Sequence, residues 1–521
     1  MKALPLTTGV IVLILWALFR LDVVSIHNKA EGGLAVSEWS ESVDIFYRIS
    51  YTNNLEKPIS VTLRTSGQSS GVSRFFLCTK DGWSDISNCA NNIDTPVFHN
   101  ESSTPLKATK LENDIWEVTH KPGAILKIKY NVLPNQNSAT SKYNSYLRPI
   151  INKQYFYAIG HAFLLVPEHL FTDKKAKIQV SYHGFDEQGW QTISSYSNST
   201  KSFQLNEKFD RFLRSIFVAG DFKHLRKSIN GHPIHFAFLG EKWNFTKEQM
   251  ADLFVKILKT ERNFFSDYNY PYYFVGVLPV KNNSKWPAYV NAANLTNSFS
   301  LVLSENVTLD QNAWEYNELL SLLAHECFHN WNGNILSLGS EEENIYWFSE
   351  GFTNHYSRKM LLKSGLYSQK DYIKSLNMAA KGYFTSPVVN SPNKEIVKNF
   401  HRSDDIRALP YLRGDMLAYL LDYEIRKTSD GKRNLDDFMK AITGNVRETK
   451  ELQSINVFKL IEQFTSNSFR AYFENLVQSG STIEFPTDLL DPCLRITFKQ
   501  KSNILIFQKM ENIPDNCIEI L

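Results

Sequence analysis

Long apolar runs are almost absent from these 521 residues. One stretch, residues 4–19, approaches a membrane span; its core Gly9–Phe19 is uninterrupted and is closed by Arg20 and Asp22. A full helical span needs about 20 apolar residues, so this one suits the core of an export signal or a short amino-terminal anchor. A small-x-small cleavage site is also lacking nearby, Gly33-Leu34-Ala35 being distant. Cleavage and retention as an anchor therefore both stay open, and either one exports the rest, to a periplasm or an extracellular face. Charge of one sign is lacking too. The 57 Lys+Arg are interspersed with 54 Asp+Glu, for a net charge of +3, so no nucleic-acid or acidic-polymer partner is implied. Cysteine is scarce, and the five present allow at most two bridges. Cys78 and Cys89 lie close in sequence, as do Cys493 and Cys517, while Cys327 is left over. Two local disulfides and one buried thiol agree with an oxidising compartment. No internal repeat or low-complexity tract is present.

Enough chain remains for two or three domains with proper cores. Residues 1–35 are the targeting segment. From 36 to 230 the pattern is β. Ala124–Tyr130 alternates, and Asp44–Tyr51, Ile59–Thr65 and Lys177–Tyr182 are β-branched or aromatic runs between turn residues. Such spacing predicts a sandwich-like domain. A strand at Ile234–Leu239 and a helix follow. Thr246 and Gln249 make a capping-box pair, with Met250, Leu253, Phe254, Ile257 and Leu258 on one helical face. Tyr272–Val280 and Phe299–Ser304 read as further strands. The boundaries predicted are 231–365 for one subdomain, 366–482 for a helical one and 483–521 for a short β tail. That tail would pair Leu494–Phe498 with Ile504–Phe507. The sequons at Asn100, Asn198, Asn244, Asn282, Asn294 and Asn306 matter only in a glycosylating host.

Chemistry concentrates in Ser321–Gly333, SLLAHECFHNWNG. On a helix the residues of His325-Glu326-Cys327-Phe328-His329 that lie four apart share a face, so the two histidines aim at one zinc ion. Glu326 stands about 100° round, beside the metal, where a general base belongs. Cys327 projects to the far side. An isolated HExxH also arises in ordinary helices, but the turn before this one is apolar, and a buried glutamate between histidines needs a use. Gly333 is expected to stop the helix. The third ligand predicted is Glu350, embedded among Tyr346, Trp347, Phe348 and Phe352. Asn354, four residues further, is placed to orient a ligand histidine.

HECFHNWNG followed by WFSEGFT resembles the gluzincin metallopeptidases, the clan of thermolysin and aminopeptidase N. Leu409–Ile442, LPYLRGDMLAYLLDYEIRKTSDGKRNLDDFMKAI, is similar to the matching segment of the glycyl aminopeptidase family. The likeness covers roughly residues 155–490, although the interval from His329 to Glu350 is nearer to that of aminopeptidase N. It implies an α+β chain: a β-sandwich-like domain, then a thermolysin-like catalytic domain with a helical carboxy-terminal half. It also implies one zinc per chain on His325, His329 and Glu350, and a peptide or protein substrate. Glu326 would activate the zinc-bound water, and Tyr411, in a P-Y-x-K/R-G pattern, would donate to the oxyanion. The helix after that pattern is expected over Asp415–Thr428. Where the family has a glutamate for the substrate's amino terminus, this chain aligns Asn294. An amide cannot form an ion pair with an ammonium, so the resemblance leaves aminopeptidase and endopeptidase action both open. Many relatives carry a PDZ domain at the carboxy terminus, and none is expected in this chain. Two other classes fit the same motifs: an inactive gluzincin-shaped binding or chaperone-like protein, and a zinc hydrolase of a non-peptide substrate.

Overall fold

The computed structural model describes residues 42–510 and 517, apart from 53, 55, 79–88, 112–113, 135–144, 200, 269, 271, 281–288, 334–341, 450–456 and 500–503. The targeting segment and the sequon at Asn282 lie outside the described residues. Among those described, no helix is long and apolar enough to cross a membrane.

The chain forms two compact units. One runs to Leu213 and includes Phe217–Gly220; the other comprises Arg214–Ile216 and the chain from Asp221. The first unit is β-rich, with one six-stranded and two four-stranded sheets. Its six-stranded sheet contains β1 (Ile45–Tyr51), β2 (Ile59–Ser66), β3 (Val97–Asn100), β4 (Ile125–Val132), β5 (Ala176–His183) and β6 (Ser202–Glu207), in the order β6-β5-β1-β2-β4-β3. β4 shows why the alternating sequence folds this way. Leu126, Ile128, Tyr130 and Val132 are buried while Lys127 and Lys129 face water, the two-residue period of a half-buried strand. β1 and β5 pair in parallel, with Ile45 opposite Ile178 and Tyr47 opposite Val180. Cys78 and Cys89 are disulfide-bonded in this unit, as are Cys493 and Cys517 in the other.

The second unit is built on a mixed five-stranded sheet: β7 (Lys223–Ile229), β8 (His232–Phe238), β9 (Tyr273–Val280), β10 (Val290–Leu295) and β11 (Ser298–Ser304), ordered β7-β8-β9-β11-β10. It begins ten residues before the boundary expected at 231, because β7 is the hairpin partner of β8 and shares its core. Helix α1 (Lys247–Phe265) starts at the predicted capping box, where Thr246 accepts from the Gln249 amide and Gln249 returns the bond. Met250, Leu253, Phe254, Ile257 and Leu258 are buried. At roughly 1.5–3 kcal/mol per buried large side chain, that face fixes α1 on the sheet.

The helices that follow are α2 (Trp314–Phe328), α3 (Gly351–Lys363), α4 (Gln369–Phe384), α5 (Asp404–Thr428), α6 (Leu435–Thr449), α7 (Val457–Phe464) and α8 (Asn467–Ser479). The divisions expected at 365/366 and 482/483 do not separate compact bodies. Arg358 of α3 makes a bidentate, buried ion pair with Asp415 of α5, 3.0 and 2.7 Å. The tail hairpin, β12 (Leu494–Lys499) and β13 (Ile504–Lys509), is held by Asn377 of α4. That carboxamide both donates to the Phe507 carbonyl, 2.9 Å, and accepts from its amide, 2.8 Å, as a neighbouring strand would. Helix α5 also starts eleven residues before the expected Asp415. Ser403 caps it by accepting from the Ile406 amide, Asp404 and Asp405 occupy its first turn, and it runs through Pro410.

Candidate metal and catalytic site

Helix α2 buries Leu319, Leu320, Leu323, Ala324, Cys327 and Phe328, which leaves His325 and His329 on its opposite side. It ends at Phe328, with His329 as the capping residue, rather than running on to Gly333. The Asn330 carboxamide donates to the Cys327 carbonyl, 2.8 Å, and the Asn332 amide to the Phe328 carbonyl, 3.1 Å, so the last helical acceptors are satisfied by a turn. Glu350 stands at the junction of a helical turn, Tyr346–Ser349, and α3, as the residue immediately before α3.

These elements bring three donors together. His325 Nε2 lies 3.0 Å from Glu350 Oε2 and 3.1 Å from His329 Nε2, and His329 Nε2 lies 3.4 Å from the same carboxylate oxygen. The two imidazole planes stand at 84°. Each ring is held by its other nitrogen: His325 Nδ1 bonds Asn354 Oδ1, 2.8 Å, and His329 Nδ1 bonds the Asn332 carbonyl, 2.7 Å. A carbonyl only accepts, so His329 Nδ1 carries the hydrogen and Nε2 turns its lone pair to the centre; His325 follows the same rule. Two imidazoles and one carboxylate, all 13–16% exposed, thus converge in a group that could hold one metal ion.

The electrostatics point the same way. Burial would raise the Glu350 carboxyl, yet the His329 and His325 rings hold it far below the usual carboxylate range. Burial disfavours charge on His329, yet Glu350 and Glu326 lift it to about 10. This is a cluster arranged to stabilise positive charge at its centre, which suits a divalent cation. Glu326 behaves differently. Burial pushes its carboxyl up, against the two histidines. Its side chain accepts from the Asn294 backbone amide, 3.3 Å, and its own carbonyl accepts from the Asn294 carboxamide, 2.9 Å. The Tyr411 ring lies nearly parallel to His325, 6.2 Å between centroids, and its hydroxyl bonds Glu350. Burial, then the Glu350 and Glu326 charges, keep that phenol protonated.

All seven residues singled out in the sequence thus meet in one cluster. Asn294 belongs to the edge strand β10, and its carboxamide is engaged by α2. Two features were not foreseen. Asn332 touches both ligand-bearing segments. Gly351 and Gly414 let α3 and α5 cross in contact, since a Cβ on Gly414 would fall 1.7 Å from the Trp347 carbonyl and one on Gly351 2.4 Å from the Gly414 Cα. That crossing sets Glu350 beside Tyr411, three residues before Gly414. Glycines inside otherwise helical stretches are the available signal for such a contact.

Comparison with known proteins agrees with this geometry. Residues 46–224 match the peptidase M61 N-terminal domain, and residues 318–396 match the M61 glycyl aminopeptidase. A leukotriene A-4 hydrolase homolog of Botryotinia fuckeliana is 24% identical over 285 residues, covering 51% of this chain and 39% of that protein. Leucine aminopeptidase 2 of Sclerotinia sclerotiorum is also 24% identical, with 51% and 41% covered. The chain therefore spans about two fifths of the length of these curated relatives. A crystal structure of an aminopeptidase N family protein from Idiomarina loihiensis shares the fold, with a TM-score of 0.70, 17% identity, and 87% of this chain and 79% of that one covered. With both M61 segments matched in order along one polypeptide, the chain is similar to the glycyl aminopeptidase family of gluzincin metallopeptidases.

Proposed function

We propose that the chain is a zinc-dependent peptide hydrolase. The observation that carries the reading is the convergence of His325, His329 and Glu350, with a half-buried carboxyl, Glu326, on one side and a neutral phenol, Tyr411, on the other. Zinc on the three ligands would supply a Lewis acid that acidifies bound water and polarises a carbonyl. Glu326 takes the proton of the attacking water and returns it to the leaving amine. Its hydrogen bond from the Asn294 amide keeps the carboxylate turned to the reacting face. Tyr411 donates its hydroxyl to the oxygen on which charge develops, and burial removes the water that would compete for that bond. The M61 match and the aminopeptidase names among its relatives support a peptide substrate. Export belongs to the same reading, supported by the two disulfides and the apolar stretch at residues 4–19.

The test is a peptide-library digestion read by mass spectrometry, paired with elemental analysis. One zinc per chain is expected, lost in His325→Ala, His329→Ala and Glu350→Ala. Glu326→Gln should retain the metal and lose at least about 100-fold in rate. A Glu326→Gln variant with undiminished hydrolysis, or a wild-type chain that cuts no peptide with zinc bound, would sink the proposal.

A further inference from the structure

We infer that Asn332 is a positioning residue that locks His329 and the segment carrying Glu350 into one metal-binding unit, an inference that rests on the zinc reading above. Asn332 is only 1% exposed and contacts both sides of the site. Its main-chain carbonyl accepts the His329 Nδ1 hydrogen, 2.7 Å, and so fixes which nitrogen faces the metal. Its carboxamide nitrogen reaches the Phe348 carbonyl, 3.2 Å, the Ser349 carbonyl, 3.1 Å, and Thr353 Oγ1, 3.0 Å. Two hydrogens are thus shared among three acceptors that bracket Glu350 in sequence. Thr353 closes the arrangement by donating to the Ser349 carbonyl, 2.6 Å.

The physical consequence follows from where the ligands originate. His329 lies at the end of α2 and Glu350 at the start of α3, so no single element fixes their separation. A metal ion tolerates small errors in ligand position, and groups that orient the ligands commonly account for 10- to 100-fold of affinity. Asn354 performs this task for His325, from α3. For His329 the acceptor is a backbone atom, and the Asn332 side chain determines where that backbone sits. Gly333 follows at φ +133°, so the turn has little stiffness of its own and depends on this anchor.

The test uses the full chain. Asn332→Leu keeps the shape of the side chain and removes its donors; Thr353→Val removes one acceptor and the tie to Ser349. Zinc affinity is measured by chelator competition, ligand geometry by the visible spectrum of the cobalt-substituted protein, and folding by the melting temperature of the metal-free protein. Asn332→Leu is expected to bind zinc about 10- to 100-fold more weakly. Its cobalt bands should change, while its metal-free melting should stay close to the wild type. Thr353→Val should weaken zinc less, in the same direction, and decides alone if the leucine variant does not fold. Affinities within threefold of the wild type in the folded variants would overturn the role of Asn332 and leave the functional reading standing. A wild type that binds no zinc would overturn both.

Discussion

Glu261 offers a sharp test of the packing behind the site. It lies on α1 and is 0% exposed, and neither carboxylate oxygen has a hydrogen-bond partner among the described residues. Its neighbour Arg262 is turned to the rings of Tyr270 and Tyr273, 4.5 and 5.5 Å from their centroids. With nothing to share its charge, burial pushes the Glu261 carboxyl well above its ordinary value, so the folded chain carries it protonated. The unfolded chain releases that proton near the usual carboxylate pKa. Between the two values the folded state binds one proton more, and stability falls as pH rises, by about 1.4 kcal/mol per pH unit. The decline begins above the unfolded pKa and stops only at the folded one.

The assay compares unfolding of the zinc-saturated wild type with Glu261→Gln and Glu261→Met at each pH from 5 upward. Other groups titrate in all three proteins, so the informative quantity is the difference between variant and wild type. That difference should favour Glu261→Gln increasingly, by ~1.4 kcal/mol per pH unit and so ~2.8 kcal/mol over two units within the window. Glu261→Met should add a constant further gain of about 1–3 kcal/mol, since Gln still buries an unpaired amide. A difference that does not change with pH would refute the reasoning, because it would mean that Glu261 is ionised in the folded chain and paired with something.

Three other outcomes are expected. Tyr411→Phe should lower kcat more than it raises KM, in steady-state kinetics on a good peptide, because the hydroxyl is used mainly in the transition state; an unchanged kcat would make the residue structural. Gly414→Ala should cost at least about 3 kcal/mol by thermal unfolding and weaken zinc binding, because the new methyl meets the Trp347 carbonyl rather than a movable side chain. An N-acetylated peptide should be cut within about tenfold as well as its free-amine twin, and a hundredfold preference for the free amine would falsify the idea that Asn294 leaves a substrate ammonium unpaired.

What could be read from the sequence was whatever repeats a local rule. The strands β1, β2, β4 and β5, the capping box of α1 and the pairing of the four bridged cysteines depend on residues near one another in the chain. The HExxH spacing is local as well, and Glu350 stood out because a carboxylate among Tyr346, Trp347 and Phe348 needs a reason. The misreadings come from contacts that no repeating local rule describes. Gly333 suggested a helix stop, but the side chain of Asn330 had already ended α2. The helix expected from Asp415 runs back through Pro410, because in α5 the missing amide costs little against the packing of Leu417, Leu420 and Leu421. The edge strand β10 has two asparagines in six residues, a poor strand by propensity, and is held by its ladder with β11. The contact of Gly351 with Gly414 joins residues from two segments, and nothing local to either announces it.

The position of Asn294 bears most directly on which peptides fit. In the antiparallel ladder the backbone groups of successive residues point alternately to the neighbouring strand and away from it. The Asn294 amide points away from β11 and meets Glu326, and the carboxamide is spent on the Glu326 carbonyl. β10 therefore holds Glu326 at two points and offers no charge there. Zinc would bring two positive charges, and Glu350 and Glu326 together bring two negative ones, with His325 and His329 neutral. The site is then balanced before substrate enters. A glutamate at 294 would leave one negative charge over, which a substrate ammonium could neutralise. With asparagine, a free amino terminus finds no paired charge in a partly dry site and so gains no advantage over a blocked terminus or an internal peptide bond, which bring no charge. The charge count gives no preference for a free amino terminus at this position, and the acetylated twin measures it directly.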